Sequence, residues 1–186
     1  LMERAALVLL ACIAASGCGY HVRADSKPPA GIRTVAVPTF HNKTYEPGLE
    51  LSFTDRLRGE LARGGSLQLA LDTKHADAVL SGEVLSFRAV PTVLVPLPSV
   101  PGTSGKQDRR LPTRYRAIVE VRVALVSVAT GEVLWEDRLE GTEEYDAGQA
   151  PEGFEPLARE AQQQAAISAI AADLMREAYD RMLTDF

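Results

Sequence analysis

The densest cationic stretch of the chain is KQDRRLPTRYR, where Lys106, Arg109, Arg110, Arg114 and Arg116 are interrupted only by Asp108 among acidic residues. A guanidinium group presents a rigid fork of N–H donors that matches phosphate or carboxylate oxygens in pairs. An anionic ligand would need such a local patch. The whole chain carries a formal charge of −5, which gives no general attraction to nucleic acid. The same run reads equally as charge that solubilises a loop and a sheet face. Cys12 and Cys18 are the second group that could do chemistry, and Glu143, Glu144 and Asp146 the third.

Other chemistry lacks its parts. His21, His41 and His75 stand far apart, none four residues from another histidine or a cysteine, so a zinc site would have to be built from scattered pieces. GTSGKQ brushes against a phosphate-binding loop, but Val100 replaces its first glycine and Gln107 its final Ser or Thr. No G-x-S-x-G elbow occurs. The acidic trio reads as a solvated patch in a polar stretch. These absences disfavour an enzyme, and no metal or soluble cofactor is expected.

Both cysteines lie in or beside an apolar run. Arg4 near the start, the run Ala5 to Ala15 and the small residues before Cys18 have the layout of a secretory signal peptide. The run is too short to cross a bilayer, which takes about 20 apolar residues. Ala15-Ser16-Gly17-Cys18 resembles the lipobox of bacterial lipoproteins, although Ala15 stands where leucine is usual. That resemblance implies removal of residues 1–17 with Cys12, and a Cys18 carrying covalent lipid. Two or more acyl chains give stable anchoring. Gly19, in place of a retaining aspartate, implies an outer-membrane address on the periplasmic side.

The elements that must position these groups follow from periodicity. Residues 18–30 form a tether, and 31–186 a single domain. Ile32 to Val37 is a β-branched run and predicts a strand, ended by Pro38. Leu49, Phe53, Leu57 and Leu61 recur every four residues and predict an amphipathic helix stopped at Gly64-Gly65. Residues 67–71 and 76–90 read as strands, with a possible bulge at Gly82. Residues 91–113, with five prolines, predict a long loop of the kind that is more often functional than idle.

TRYRAIVEVRVALVSV alternates Tyr115, Ala117, Val119, Val121, Val123 and Leu125 against Arg114, Arg116, Glu120 and Arg122, so one face is core and the other polar. A turn at Ala129-Thr130-Gly131-Glu132 leads into a hairpin partner containing Trp135, a core residue whose indole N–H needs an acceptor. From Glu155 to Leu183 a helix carries the stripe Ile167, Ile170, Ala171, Leu174, Ala178 and Met182. The expected architecture is α+β: two helices on one face of a mostly antiparallel four-stranded sheet, in the order β-α-β-β-β-α.

CGYHV at 18–22, IRTVAVPTFHNKTYEPGLE at 32–50, the helix LSFTDRLRGEL and ADAVLSGEV at 76–84 resemble the LptE family of lipopolysaccharide-assembly lipoproteins. The hairpin TGEVLWE and the last helix continue the resemblance over most of the chain. It implies two helices on a four-stranded sheet. It also implies a non-catalytic protein that plugs and helps assemble a large outer-membrane β-barrel, LptD, as a 1:1 partner, and takes part in delivering lipopolysaccharide to the cell surface. Lys106, Arg109, Arg110, Arg114 and Arg116 would then meet lipopolysaccharide phosphates. Val93, Leu94, Val95, Leu97 and Val100 would meet acyl chains or the barrel wall.

An alternative class is a lipid-anchored periplasmic activator of a peptidoglycan synthase. Such a protein needs a long tether, whereas Cys18 to Ala30 reaches on the order of 45 Å when extended. A tethered hydrolase has no constellation to support it.

Overall fold

The computed structural model describes residues 31–96, 110–147, 149–150, 153–154 and 156–185. The signal segment 1–17, the tether 18–30 with Cys18, and Lys106 and Arg109 lie outside these residues. The chain runs β1 (Thr34–Ala36), β2 (His41–Asn42), α1 (Leu49–Gly64), β3 (Gln68–Leu69), a 3-10 turn (Thr73–His75), β4 (Ala78–Pro96), β5 (Arg110–Ser127), β6 (Val133–Asp146), a small hairpin of β7 (Gln149–Ala150) and β8 (Gly153–Phe154), then α2 (Pro156–Thr184).

The α+β class and the two helices are as expected, but the sheet differs. It is six-stranded and mixed, ordered β3-β1-β4-β5-β6 with β2 also on β4. Strands β4, β5 and β6 form an antiparallel meander. β1 runs parallel to both β3 and β4, and β2 parallel to β4. The reason is α1, which sits between β1 and β4 as a crossover and returns the chain to the end where β1 began. β2 and β3 have only two residues each, too few to leave a periodic signal.

The helices form where the apolar spacing says they should. Leu49, Phe53, Leu57 and Leu61 of α1 are buried. The helix ends at Gly65, whose φ of 68° is the left-handed cap that favours glycine. In α2, Ile167, Ile170, Ala171, Leu174, Ala178 and Met182 are buried with Met175 and Tyr179. Both helices pack on each other and on one face of the sheet, joining Val119, Val121, Val123 and Leu125 in one core. Asp77 ties the sheet's start together: its Oδ2 accepts from the Arg33 and Thr34 N–H groups and from Thr34 Oγ1.

Two further expectations are corrected. Of the loop expected over 91–113, residues 91–96 and 110–113 are strand, because β4 continues to Pro96 and β5 begins at Arg110; 97–109 lie outside the described residues. Prolines fit there because, among the described residues, the distal half of β4 is paired on one side only, Pro91 sits at a register shift, and Pro112 precedes the first β5–β6 pair at Arg114. Nor does Gly82 make a bulge; it pairs regularly with Val123, and the register shifts between Val84 and Ser86.

Gly82 serves packing instead. A Cβ there would lie 2.1 Å from the Phe40 ring, which is buried and stacks on Phe53. We expect Gly82→Ala to lower unfolding stability by about 1–3 kcal/mol, the usual cost of overpacking. Urea denaturation would measure it, and an unchanged midpoint would contradict the close approach.

Candidate functional site

Helices cover one face of the sheet, and among the described residues nothing covers the other, the open face. Period-two alternation in β5 sends Arg114, Arg116, Glu120 and Arg122 to that open face, as expected. The register of β4 and β6 then decides what each meets. Arg114 Nε lies 3.2 Å from Asp146, and Arg116 Nη2 lies 2.8 Å from Glu144. Arg138 lies 3.3 Å from Glu120, and Arg88 is 4.0 Å from Glu140. Arg122 pairs with Glu83 and approaches Glu136 at 3.6 Å, while Lys43 reaches Glu83 at 2.9 Å.

The face is therefore a ladder in which cations and carboxylates alternate across strands and match in number among the described residues. Its pairs are solvent-exposed and individually contribute little to stability. Hydrogen bonds from Lys43 and then Arg122 hold the Glu83 carboxyl below its usual range. Glu83 in turn raises Arg122.

The sequence-predicted basic residues fare differently. Arg114 and Arg116 share the open face, but each already faces a carboxylate. Arg110 opens β5, exposed and in register with Pro96. Lys106 and Arg109 lie outside the described residues, so the five are not seen together. Leu97 and Val100 also lie outside them. Val93, Leu94 and Val95 belong to β4, each more than 40% exposed at 41%, 47% and 47%. The acidic trio is split: Glu144 and Asp146 point to the open face, whereas Glu143, between them, points the other way on the strand β6. Adjacent strand residues cannot act as paired carboxylates on one ligand.

Sequence reasoning missed Arg88, Arg138, Glu83, Glu136 and Glu140 as members of the ladder. The hairpin sets Arg138 opposite Arg122 and Glu144 opposite Arg116, a register that counting outward from the Thr130-Gly131 turn only approximates. The shift between Leu125 and Val126 would have thrown that count off by one.

Where the ladder ends, the helix side of the sheet carries a second cluster. Tyr115 and Tyr145 stack at 5.7 Å, and the Arg159 guanidinium lies 4.6 Å over the Tyr115 ring. Tyr145 donates to Gln163 Oε1 and Gln163 Nε2 donates to Glu46, which pins the start of α2 to the turn before α1. Burial raises the Tyr145 hydroxyl above its ordinary value. His41 lies exposed on β2, and His75 contacts Asp72 at the 3-10 turn. Among the described residues no group of His, Cys, Asp or Glu could hold a metal ion. No described helix is long and apolar enough to cross a membrane.

Because the folded state holds the Glu83 proton less tightly than the unfolded state does, the unfolded chain binds more protons on acidification. The stabilisation from Glu83 is present above the ordinary glutamate range and is lost as pH falls through the lower folded value. Glu83→Gln should therefore flatten the acid limb of a stability-versus-pH curve measured by thermal melts. An acid limb identical to the parent's would show that Glu83 is not held low.

A model of the family described as "LptE: Lipopolysaccharide-assembly" matches residues 32–185. Among curated proteins none matches the chain. Solved structures with the same fold include a lipoprotein candidate from Caulobacter crescentus CB15, at 19% identity and a TM-score of 0.51, covering 78% of this chain and 88% of that one. The hypothetical protein CT253 from Chlamydia trachomatis is similar at 12% identity and a TM-score of 0.50, covering 82% and 96% of the two chains. At such identities the likeness speaks for the fold alone.

Proposed function

The chain belongs to the LptE family of lipopolysaccharide assembly, and from that membership we propose that it is an outer-membrane lipoprotein that plugs an LptD-type β-barrel. In this role it assists the barrel's assembly and takes part in moving lipopolysaccharide to the cell surface. Cys18 carries the acyl chains that anchor it on the periplasmic side.

The observation that carries the plug reading is the open face of the sheet. Its ion-pair ladder is polar, exposed and, among the described residues, balanced in charge. A surface of that kind suits the polar interior of a large barrel, which an apolar face would not. Nothing in the role requires the protein to make or break bonds.

Affinity capture of tagged full-length protein from mildly solubilised outer membranes tests this reading. A near-equimolar, heat-modifiable β-barrel is expected, with the intact mass of the captured chain showing acyl chains on Cys18. Recovery of a peptidoglycan synthase instead would move the chain to the activator class.

For lipopolysaccharide itself, the proposed phosphate contacts are Arg109 and Arg110, of which Arg110 opens β5. Reversing both to glutamate should weaken lipopolysaccharide binding by about tenfold, a change of roughly 1.4 kcal/mol. Unchanged binding in a titration of purified protein would remove these arginines from the role.

A further inference from the structure

We propose that the free edge of β4 over Leu85–Val90 is a docking site for an extended strand of a partner protein, one with apolar side chains on its helix side and a carboxylate facing Arg88. The inference stands apart from the lipopolysaccharide role and can fail without it.

β4 is 19 residues long, and β5 pairs with it over its whole length. On the opposite side, β1 covers only Ala78 and Val79, and β2 only Glu83 and Val84. The last backbone bond along that side runs from the Lys43 N–H to the Val84 carbonyl. Beyond it, the N–H and C=O groups of Leu85–Val90 that point away from β5 have no partner among the described residues.

The chain leaves the edge there for a definite reason. Asn42 Oδ1 accepts from the Thr44 N–H and hydroxyl, and its Nδ2 donates to Glu46 O and Glu50. This turn swings residues 44–46 away from β4 and opens a cleft of about 290 Å³ between Thr44, Tyr45 and Glu46 on one wall and Leu85, Ser86 and Phe87 on the other. Tyr45, at its rim, is fully exposed. The cleft continues the line that β2 occupies, so a strand lying in it extends an existing parallel pairing.

A row of alternating donors and acceptors is satisfied by another extended backbone, which is how strand addition gains affinity. The slot has a defined end, because Pro91 cannot donate and stops a ladder. Its side chains specify the visitor. Phe87 and Ala89 are partly buried against the core and continue its apolar surface on the helix side. Arg88 points to the open face, where Glu140 stands 4.0 Å away at the limit of an ion pair and leaves the Arg88 side chain 61% exposed. A carboxylate on the incoming strand completes it. A second copy of this chain fits poorly: antiparallel pairing over Ser86–Val90 sets Arg88 against Arg88, and like charges directly opposite destabilise a sheet.

The test uses the full-length chain and a capped heptapeptide of alternating valine and glutamate, with hydrogen exchange followed by mass spectrometry over 85–90. Exchange should slow at least about tenfold at saturating peptide. The same peptide N-methylated on its edge-facing amides should have no effect. Arg88→Glu should weaken the glutamate peptide about two- to fivefold and favour a valine–lysine peptide to a similar degree.

Unchanged exchange, or equal slowing by the methylated peptide, would overturn the proposal. So would protection already present in the free chain: if lost on dilution it would mean that a second copy covers the edge, and if indifferent to dilution, that another segment of the chain does.

Discussion

Each residue of β5 from Ala117 to Leu125 is assigned to one of two environments by the two-residue period of a strand. Ala117, Val119, Val121, Val123 and Leu125 are fully buried beneath the helices, while Glu120 and Arg122 between them face outward into ion pairs. A slip of one residue would place arginine and glutamate in the core and a valine row in water, so the register is strongly fixed. The neighbouring strands inherit it. β4 and β6 align their own buried and charged residues to β5, and α2 lies on the surface that results.

The same constraint explains what the molecule offers to others. Helices on one side cover the apolar row of β5 from Ala117 to Leu125, and the outward residues are left to neutralise one another. The residues that carry the likeness to the LptE family are mostly builders of this scaffold. Asn42 holds the turn that launches α1, Gly82 admits Phe40, and the apolar row of α1 fills the core. A family recognised through such positions is recognised by its architecture.

Elements with a strong repeating pattern were legible in the sequence: the alternation of β5, the stripes of both helices, and Trp135 as a buried indole with an acceptor. What was not legible depended on distant parts of the chain. The parallel pairing of β1 with β4 is set by the path of α1, and two-residue strands carry no period. Proline content made 91–96 and 110–113 read as loop, although prolines at a free edge or a register shift cost a strand little. For the candidate site, Arg114 and Arg116 were placed on the correct face, yet Asp146 and Glu144 lie about 30 residues away along the chain and meet them only through the exact turn of the hairpin.

Trp135 is the sole tryptophan of the chain, 7% exposed, and its indole N–H donates at 2.9 Å to Asp185 just beyond the last turn of α2. Arg181 strengthens the same contact by bridging Asp137 on β6 and Glu177. Intrinsic fluorescence from this one indole thus reports whether the end of α2 is seated on the hairpin. The emission would shift to the red as the helix lifts and water reaches the ring, giving an unlabelled optical readout of helix docking in any complex whose partner contains no tryptophan.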